Sequence, residues 1–209
     1  MRLAVFGATG LTGGLVVTQA LGQGHEVAAL VRDPTRATLT HPRLAVLAGS
    51  PTRAADVERC VQGADAVIHC LGIGGKGDGK PTTLVSDSVK AAVVAMETQG
   101  VPRIVCMSNV GAGGSGTWFA NQVVQPIFLR WLLPIIEDKN RMEQTLLASS
   151  VAWVSVRLPL IVDGPDKPIR TSADGRGIGL SITAASVARF LLAQATGDDF
   201  LRATPSISN

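Results

Sequence analysis

Seven residues near the amino terminus carry the first chemistry. Gly7-Ala8-Thr9-Gly10-Leu11-Thr12-Gly13 follows an apolar run, Leu3–Phe6, and opens a helical stretch that reaches about Gly22. The GxxGxxG spacing suits a dinucleotide. The chain must turn tightly at Gly7, let a pyrophosphate approach the backbone at Gly10, and pack helix on strand at Gly13. First-turn N–H groups of such a helix point at the phosphates, and the positive helix end adds to their pull. Thr9, Leu11 and Thr12 lie in the same turn, and both threonine hydroxyls can donate. A turn that merely uses glycine would share this composition; the strand before it and the βα alternation after it favour the dinucleotide.

The end of the second apolar run selects between dinucleotides. An acidic residue there accepts from the ribose 2′-OH of NAD, whereas the 2′-phosphate of NADP wants arginine. The chain reads Leu30-Val31-Arg32-Asp33-Pro34, with Arg36 close behind. Arg32 comes first after the strand, so its guanidinium can fork onto a phosphate. The expected cofactor is therefore NADP(H), with Asp33 pointing away or paired to a neighbouring arginine. The other reading, a solvated Arg–Asp surface turn, stays open because exposed ion pairs are common and weak.

The elements that position these groups alternate regularly. Glu26–Val31, Leu44–Leu47, Ala66–Cys70 and Arg103–Met107 read as buried strands, and Ala54–Val61 and Thr82–Gln99 as helices. Strands that are apolar throughout, separated by helices, mean a parallel sheet covered on both faces. The C-terminal third changes rhythm: a helix over Asp138–Leu147, a strand over Trp153–Val156, an extended piece over Leu158–Val162 and a last helix over Ala184–Ala195. The expected fold is a Rossmann-like, doubly wound α/β domain over residues 1–209, with a small substrate-side extension from about residue 158.

Composition narrows the chemistry. The 209 residues are 46% hydrophobic and 17% charged, with a formal charge of +3, which excludes a disordered chain and gives no basic run for nucleic acid. Tyrosine is absent, so no mechanism can use a tyrosine acid or base. Cys60, Cys70 and Cys106 lie far apart with no metal-ligand spacing and read as reduced core residues. No signal peptide opens the chain, and Trp118–Ile136 carries polar residues and two prolines, so no membrane span is expected. The expectation is a cytoplasmic protein, a monomer or weak homodimer.

These residues resemble a known group. Gly7–Gly13, Leu30-Val31-Arg32-Asp33, Ser108 after the fifth strand and Asp138-Lys139-Asn140-Arg141-Met142-Glu143 are similar to the atypical short-chain dehydrogenase/reductase superfamily, NmrA-like proteins included. Pro81-Thr82-Thr83, Asp174-Gly175-Arg176-Gly177 and Ile182–Leu192 are similar to its biliverdin-IXβ reductase/flavin reductase branch. The resemblance covers nearly the whole chain. It implies a nicotinamide near Ser108 and a substrate pocket roofed by the C-terminal third.

Two departures stand out. The tyrosine-dependent dehydrogenases use Tyr-x-x-x-Lys; Lys139 could be that lysine, but Ile135 stands where the tyrosine belongs. Alcohol–ketone chemistry by that route is closed. The biliverdin/flavin branch also carries histidines near the nicotinamide, where this chain has Lys139 and Leu160, so a flavin or quinone is the expected acceptor and a tetrapyrrole a further candidate. Such acceptors need a flat pocket and can take protons from solvent.

Around the reacting centre, Ser108 could bond the nicotinamide carboxamide or a substrate carbonyl, or cap the following loop. The resemblance implies that Lys139 meets the nicotinamide ribose; alternatively it pairs with Glu143 one turn on. Ser50, after the third strand, and Leu71 and Gly72, after the fourth, complete the expected cofactor contacts. Gly72–Lys80 holds five glycines in nine positions and reads as a mobile flap, with Lys76 or Lys80 meeting phosphate, or as a surface loop. Trp118, Phe119, Phe128 and Trp131 could stack over the acceptor, pack on the body or form a dimer contact. His69, inside a strand, reads as a core histidine. Asp163 and Asp166 read as turn residues. Two functions remain: an NADPH-dependent reductase of a planar acceptor, and an NAD(P)-binding redox sensor that docks on a partner protein.

Overall fold

Alternation along the first strand sets the architecture. In β1 (Arg2–Phe6), Leu3 and Val5 face one layer of the core while Ala4 and Phe6 face the other, and these four are fully buried. A strand apolar on both faces must lie between two helical layers. The computed structural model, which describes residues 1–73, 79–115 and 132–209, has that layout.

Chain order runs β1, α1 (Leu11–Gly22), β2 (Glu26–Val31), β3 (Leu44–Ala48), α2 (Ala54–Val61), β4 (Ala66–His69), α3 (Leu84–Gln99) and β5 (Arg103–Gly113). It continues through α4 (Leu133–Ala148), β6 (Ala152–Leu158), β7 (Leu160–Val162), β8 (Arg170–Ser172), β9 (Ser181–Thr183), α5 (Ala184–Thr196) and β10 (Ser206–Ser208). Among the described residues the main sheet has the order β3-β2-β1-β4-β5-β6-β10-β8, parallel except for the β10–β8 pair. Helices α1 and α5 pack together on one face, and α2, α3 and α4 on the other.

This is the Rossmann-like doubly wound fold expected from the sequence. The chain winds outward from β1 to β3, then returns to β4 on the other side of β1, so the carboxyl ends of β1 and β4 flank the crevice where such sheets bind ligands.

Several elements differ from the sequence reading. β5 runs to Gly113 rather than Met107, outlasting its pairing with β6, which ends at Asn109 opposite Leu158. Helix α4 begins at Leu133, because proline in a first helical turn loses no hydrogen bond. The extended piece at Leu158–Val162 is divided at Pro159: Leu158 ends β6, and β7 joins β9 in a separate two-stranded ribbon. The stretches 74–78 and 116–131, which include Lys76 of the glycine-rich flap and Trp118, Phe119, Phe128 and Trp131, lie outside the described residues. No helix among the described residues is long and apolar enough to cross a membrane.

Candidate active site

The glycine turn is shaped by two close approaches. Gly7 sits at φ +82°, where a Cβ would come within 2.8 Å of the Cys70 carbonyl oxygen across the switch-point crevice. At Gly13 a Cβ would collide with the Gly7 carbonyl oxygen, so helix and turn meet only because both residues are glycine. Gly10 differs: it is exposed, and its nearest obstacle to a Cβ is 3.4 Å away. It caps α1 without a side-chain bond, and no acidic residue occupies the first turn. The amino end of α1 is thus left for an anion, as a pyrophosphate requires. Thr9 and Leu11 are exposed beside it, and Thr12 is buried.

At the end of β2 the two charged residues separate in role. Asp33 turns back on its own chain, accepting from the Thr35 N–H at 3.0 Å and from its hydroxyl at 2.6 Å as the cap of a short 3-10 turn, Pro34–Arg36. Those bonds hold its carboxyl below the usual range. Arg32 is exposed and makes no hydrogen bond or ion pair with the described residues. A cleft of about 240 Å³ opens beside the glycine turn, lined by Thr9, Gly10, Thr18, Val31, Arg36 and Thr38. Arg36 therefore joins the candidate phosphate groups, a placement that sequence spacing left undecided.

Ser50 is half-buried after β3, its N–H given to Asp56 Oδ2 at 2.8 Å and its hydroxyl 3.0 Å from that of Thr52. Leu71 and Gly72 follow β4 at the crevice. This first half of the site is built mainly from backbone and exposed side chains.

The second half is a buried side-chain network between β5, α4 and β6. Lys139 is 4% exposed and donates to the carbonyls of Met107 at 2.6 Å and Leu71 at 3.2 Å. Its expected alternative partner, Glu143, is taken by others. Burial pushes the Lys139 ammonium down to about 8, against the pull of nearby thiols and carboxylates. Ser108 is 2% exposed, and its hydroxyl donates to Glu143 Oε1 at 2.9 Å rather than capping the following loop. The same Glu143 oxygen accepts from the Ser155 hydroxyl at 3.0 Å and Arg157 Nε at 3.1 Å, while Oε2 accepts from Arg157 Nη2 at 2.7 Å.

A Cβ at Gly113 would meet that guanidinium, so the far end of β5 closes over the pair. Asp138, beside Lys139, accepts from the N–H groups of Val85 and Ser86 at the start of α3. The sequence held one signal for this cluster. Arg157 stands between the apolar runs Trp153–Val156 and Leu158–Val162, and a charge enclosed in that way must be paired, here with Glu143.

His69 is fully buried, 2.9 Å from the Ser88 hydroxyl and stacked on Phe6. Burial, with the charge of Lys139, lowers it to about 3, so it is neutral at ordinary pH. Cys60 and Cys106 are buried and Cys70 partly so, all three as free thiols. Asp163 accepts from the Gly164 N–H, and Asp166 pairs with Arg189 at 2.7 Å.

A doubly wound sheet with a glycine turn at its switch point defines an NAD(P)H-binding Rossmann protein. The chain belongs to the NAD(P)H-binding family, whose model matches residues 7–198. An uncharacterized protein of Mycobacterium tuberculosis is 30% identical over 161 residues, 77% of this chain. The chain spans about 15% of the length of that relative. A short-chain dehydrogenase/reductase of Veillonella parvula in complex with NADP superposes with a TM-score of 0.82 at 16% identity, covering 100% of this chain and 94% of the other. ChuY, an anaerobilin reductase of Escherichia coli O157:H7, gives 0.80 at 18%, covering 100% and 97%. At these identities the likeness is one of fold.

Proposed function

We propose that the protein is an NADPH-dependent reductase of a planar conjugated acceptor, a flavin or a quinone. The observation that carries the cofactor choice is the division of labour after β2: Asp33 is consumed by its own turn while Arg32 makes no bond with the described residues. An arginine there suits a 2′-phosphate, and an acid turned away forfeits the ribose hydroxyl.

In this reading the backbone at Gly10–Gly13 holds the pyrophosphate, Arg32 and Arg36 take the 2′-phosphate, and Ser50, Leu71 and Gly72 bound the adenosine side. Ser108 and Lys139 stand at the nicotinamide end. NADPH held there supplies a hydride, and the acceptor takes its balancing proton from solvent. The chain's work is orientation: it has no tyrosine to donate a proton, and a flavin or quinone needs none.

Initial rates of NADPH and NADH oxidation against FMN, riboflavin, a quinone and biliverdin test this directly. NADPH turnover with a flavin or quinone is the expected result. Arg32→Ala should weaken NADPH by about tenfold, as loss of one charge-assisted contact does, and leave NADH nearly unchanged. Equal losses for both dinucleotides would remove Arg32 from the site. Tight NADPH binding without turnover on any acceptor would favour the second reading, a redox sensor; the internal use of the Ser108 hydroxyl proton and of two of the three Lys139 donors gives that reading its support.

A further inference from the structure

Three donors from two strands converge on a single carboxylate. Glu143 Oε1 lies 2.9 Å from Ser108 Oγ, 3.0 Å from Ser155 Oγ and 3.1 Å from Arg157 Nε. Both Glu143 oxygens accept from the Arg157 guanidinium, a group that can only donate, so the carboxyl group acts here as an acceptor. An ionised carboxylate has no proton to give, so each hydroxyl that meets it must be the donor. Ser155 is fully buried and Ser108 nearly so, and the Glu143 carboxylate is the acceptor that the structure gives each proton.

We infer that Glu143 fixes the Ser108 proton inward, making Ser108 an acceptor-only group that reads a ligand N–H and cannot polarise a ligand carbonyl. Turning that proton outward would break a charge-assisted bond that nothing nearby replaces. Glu143 is thus a positioning residue acting through Ser108, and Arg157 holds Glu143 in the required state. The inference rests on the dinucleotide reading and deepens it. Among the groups a bound nicotinamide presents, Ser108 suits the carboxamide NH2, not its C=O. It also removes the second hydroxyl donor that carbonyl reduction would need, in a chain already without tyrosine.

The test compares dissociation constants, by fluorescence titration, for NADPH and its reduced 3-acetylpyridine analogue, in which a methyl replaces the carboxamide NH2 and the carbonyl remains. Wild type should prefer NADPH by about 5- to 10-fold, the worth of one hydrogen bond from a buried site. Ser108→Ala should bring the ratio to about one by weakening NADPH alone.

Glu143→Gln, whose amide can donate to Ser108 and release its proton, should also lose the preference; its unfolding curve establishes whether it folds, and Ser108→Ala decides the matter if it does not. Equal affinity of wild type for the two dinucleotides overturns the inference. So does an equal loss of both in Ser108→Ala, the result expected of a carbonyl donor or a merely structural serine. Failure of wild type to bind either dinucleotide sinks the cofactor reading itself, and this inference with it.

Discussion

The two halves of the site are made of different material. Around β1 and β2 the candidate groups are backbone amides and exposed side chains: a helix start without a side-chain cap, a φ-positive glycine and an Arg32 with no partner among the described residues. Between β5, α4 and β6 the groups are buried side chains, and Ser108, Lys139, Glu143 and Arg157 all bond to one another or to main-chain carbonyls. In the first half, no described residue caps the amino end of α1 or pairs with Arg32. The second has rigidity and fixed proton positions, and the cost of disturbing it is paid in stability. A change in the cradle should therefore alter binding before folding, whereas a change in the network should alter folding first.

The sharpest way to break that contrast is to remove one member of the buried pair. Arg157→Met strands the Glu143 carboxylate and should cost about 3–5 kcal/mol in urea unfolding, while the double change Glu143→Met/Arg157→Met should cost far less. Near-additive losses in the double variant would mean that the pair contributes more than the desolvation of its charges. Within the cradle the contrast predicts opposite outcomes three residues apart. Gly13→Ala, a change that ordinarily favours a helix, should lose about 3 kcal/mol because its methyl strikes the Gly7 carbonyl. Gly10→Ala should stay within about 0.5 kcal/mol of wild type yet bind NADPH roughly tenfold more weakly.

A further effect is read by pH. His69 is held neutral in the folded chain, with a value near 3 against 6.5 when exposed, so below pH 6.5 the unfolded chain takes up a proton that the folded chain refuses. Stability should be unaffected by this group above pH 6.5 and fall as pH drops, by about 2 kcal/mol at pH 5. His69→Phe should flatten that part of the pH profile; an unchanged slope would mean that His69 is charged and paired in the fold.

Legibility in the sequence follows the same division. The strands β1, β2 and β4 were readable because burial on both faces leaves continuous apolar runs, β3 from its apolar run although it lies half-exposed at the sheet edge, and Gly7 and Gly13 because only glycine tolerates those approaches. The late strands were not. Ser206–Ser208 is a fully buried strand made mostly of serine, stabilised by its place between β6 and β8 and not by its own hydrophobicity. Lys139 and Glu143 show the limit most clearly. Their spacing on one helix suggests a pair, yet Lys139 turns to one carbonyl after β4 and another within β5 while Glu143 takes an arginine fourteen residues further on. Helical spacing brings two side chains within reach, and competition from other elements decides which contact forms.

By itself the sequence determined the fold class, the glycine turn after β1 and the pair of charges after β2, since each depends on local rules: strand periodicity, glycine's freedom from a Cβ, residue order at a strand end. Tertiary structure alone decided that Asp33 caps its own turn and leaves Arg32 open, that Arg36 lines the cleft, and that Ser108 gives its proton to Glu143. Those outcomes depend on which donors and acceptors are brought within about 3 Å after packing, and in a buried site the loss of water makes each such pairing exclusive.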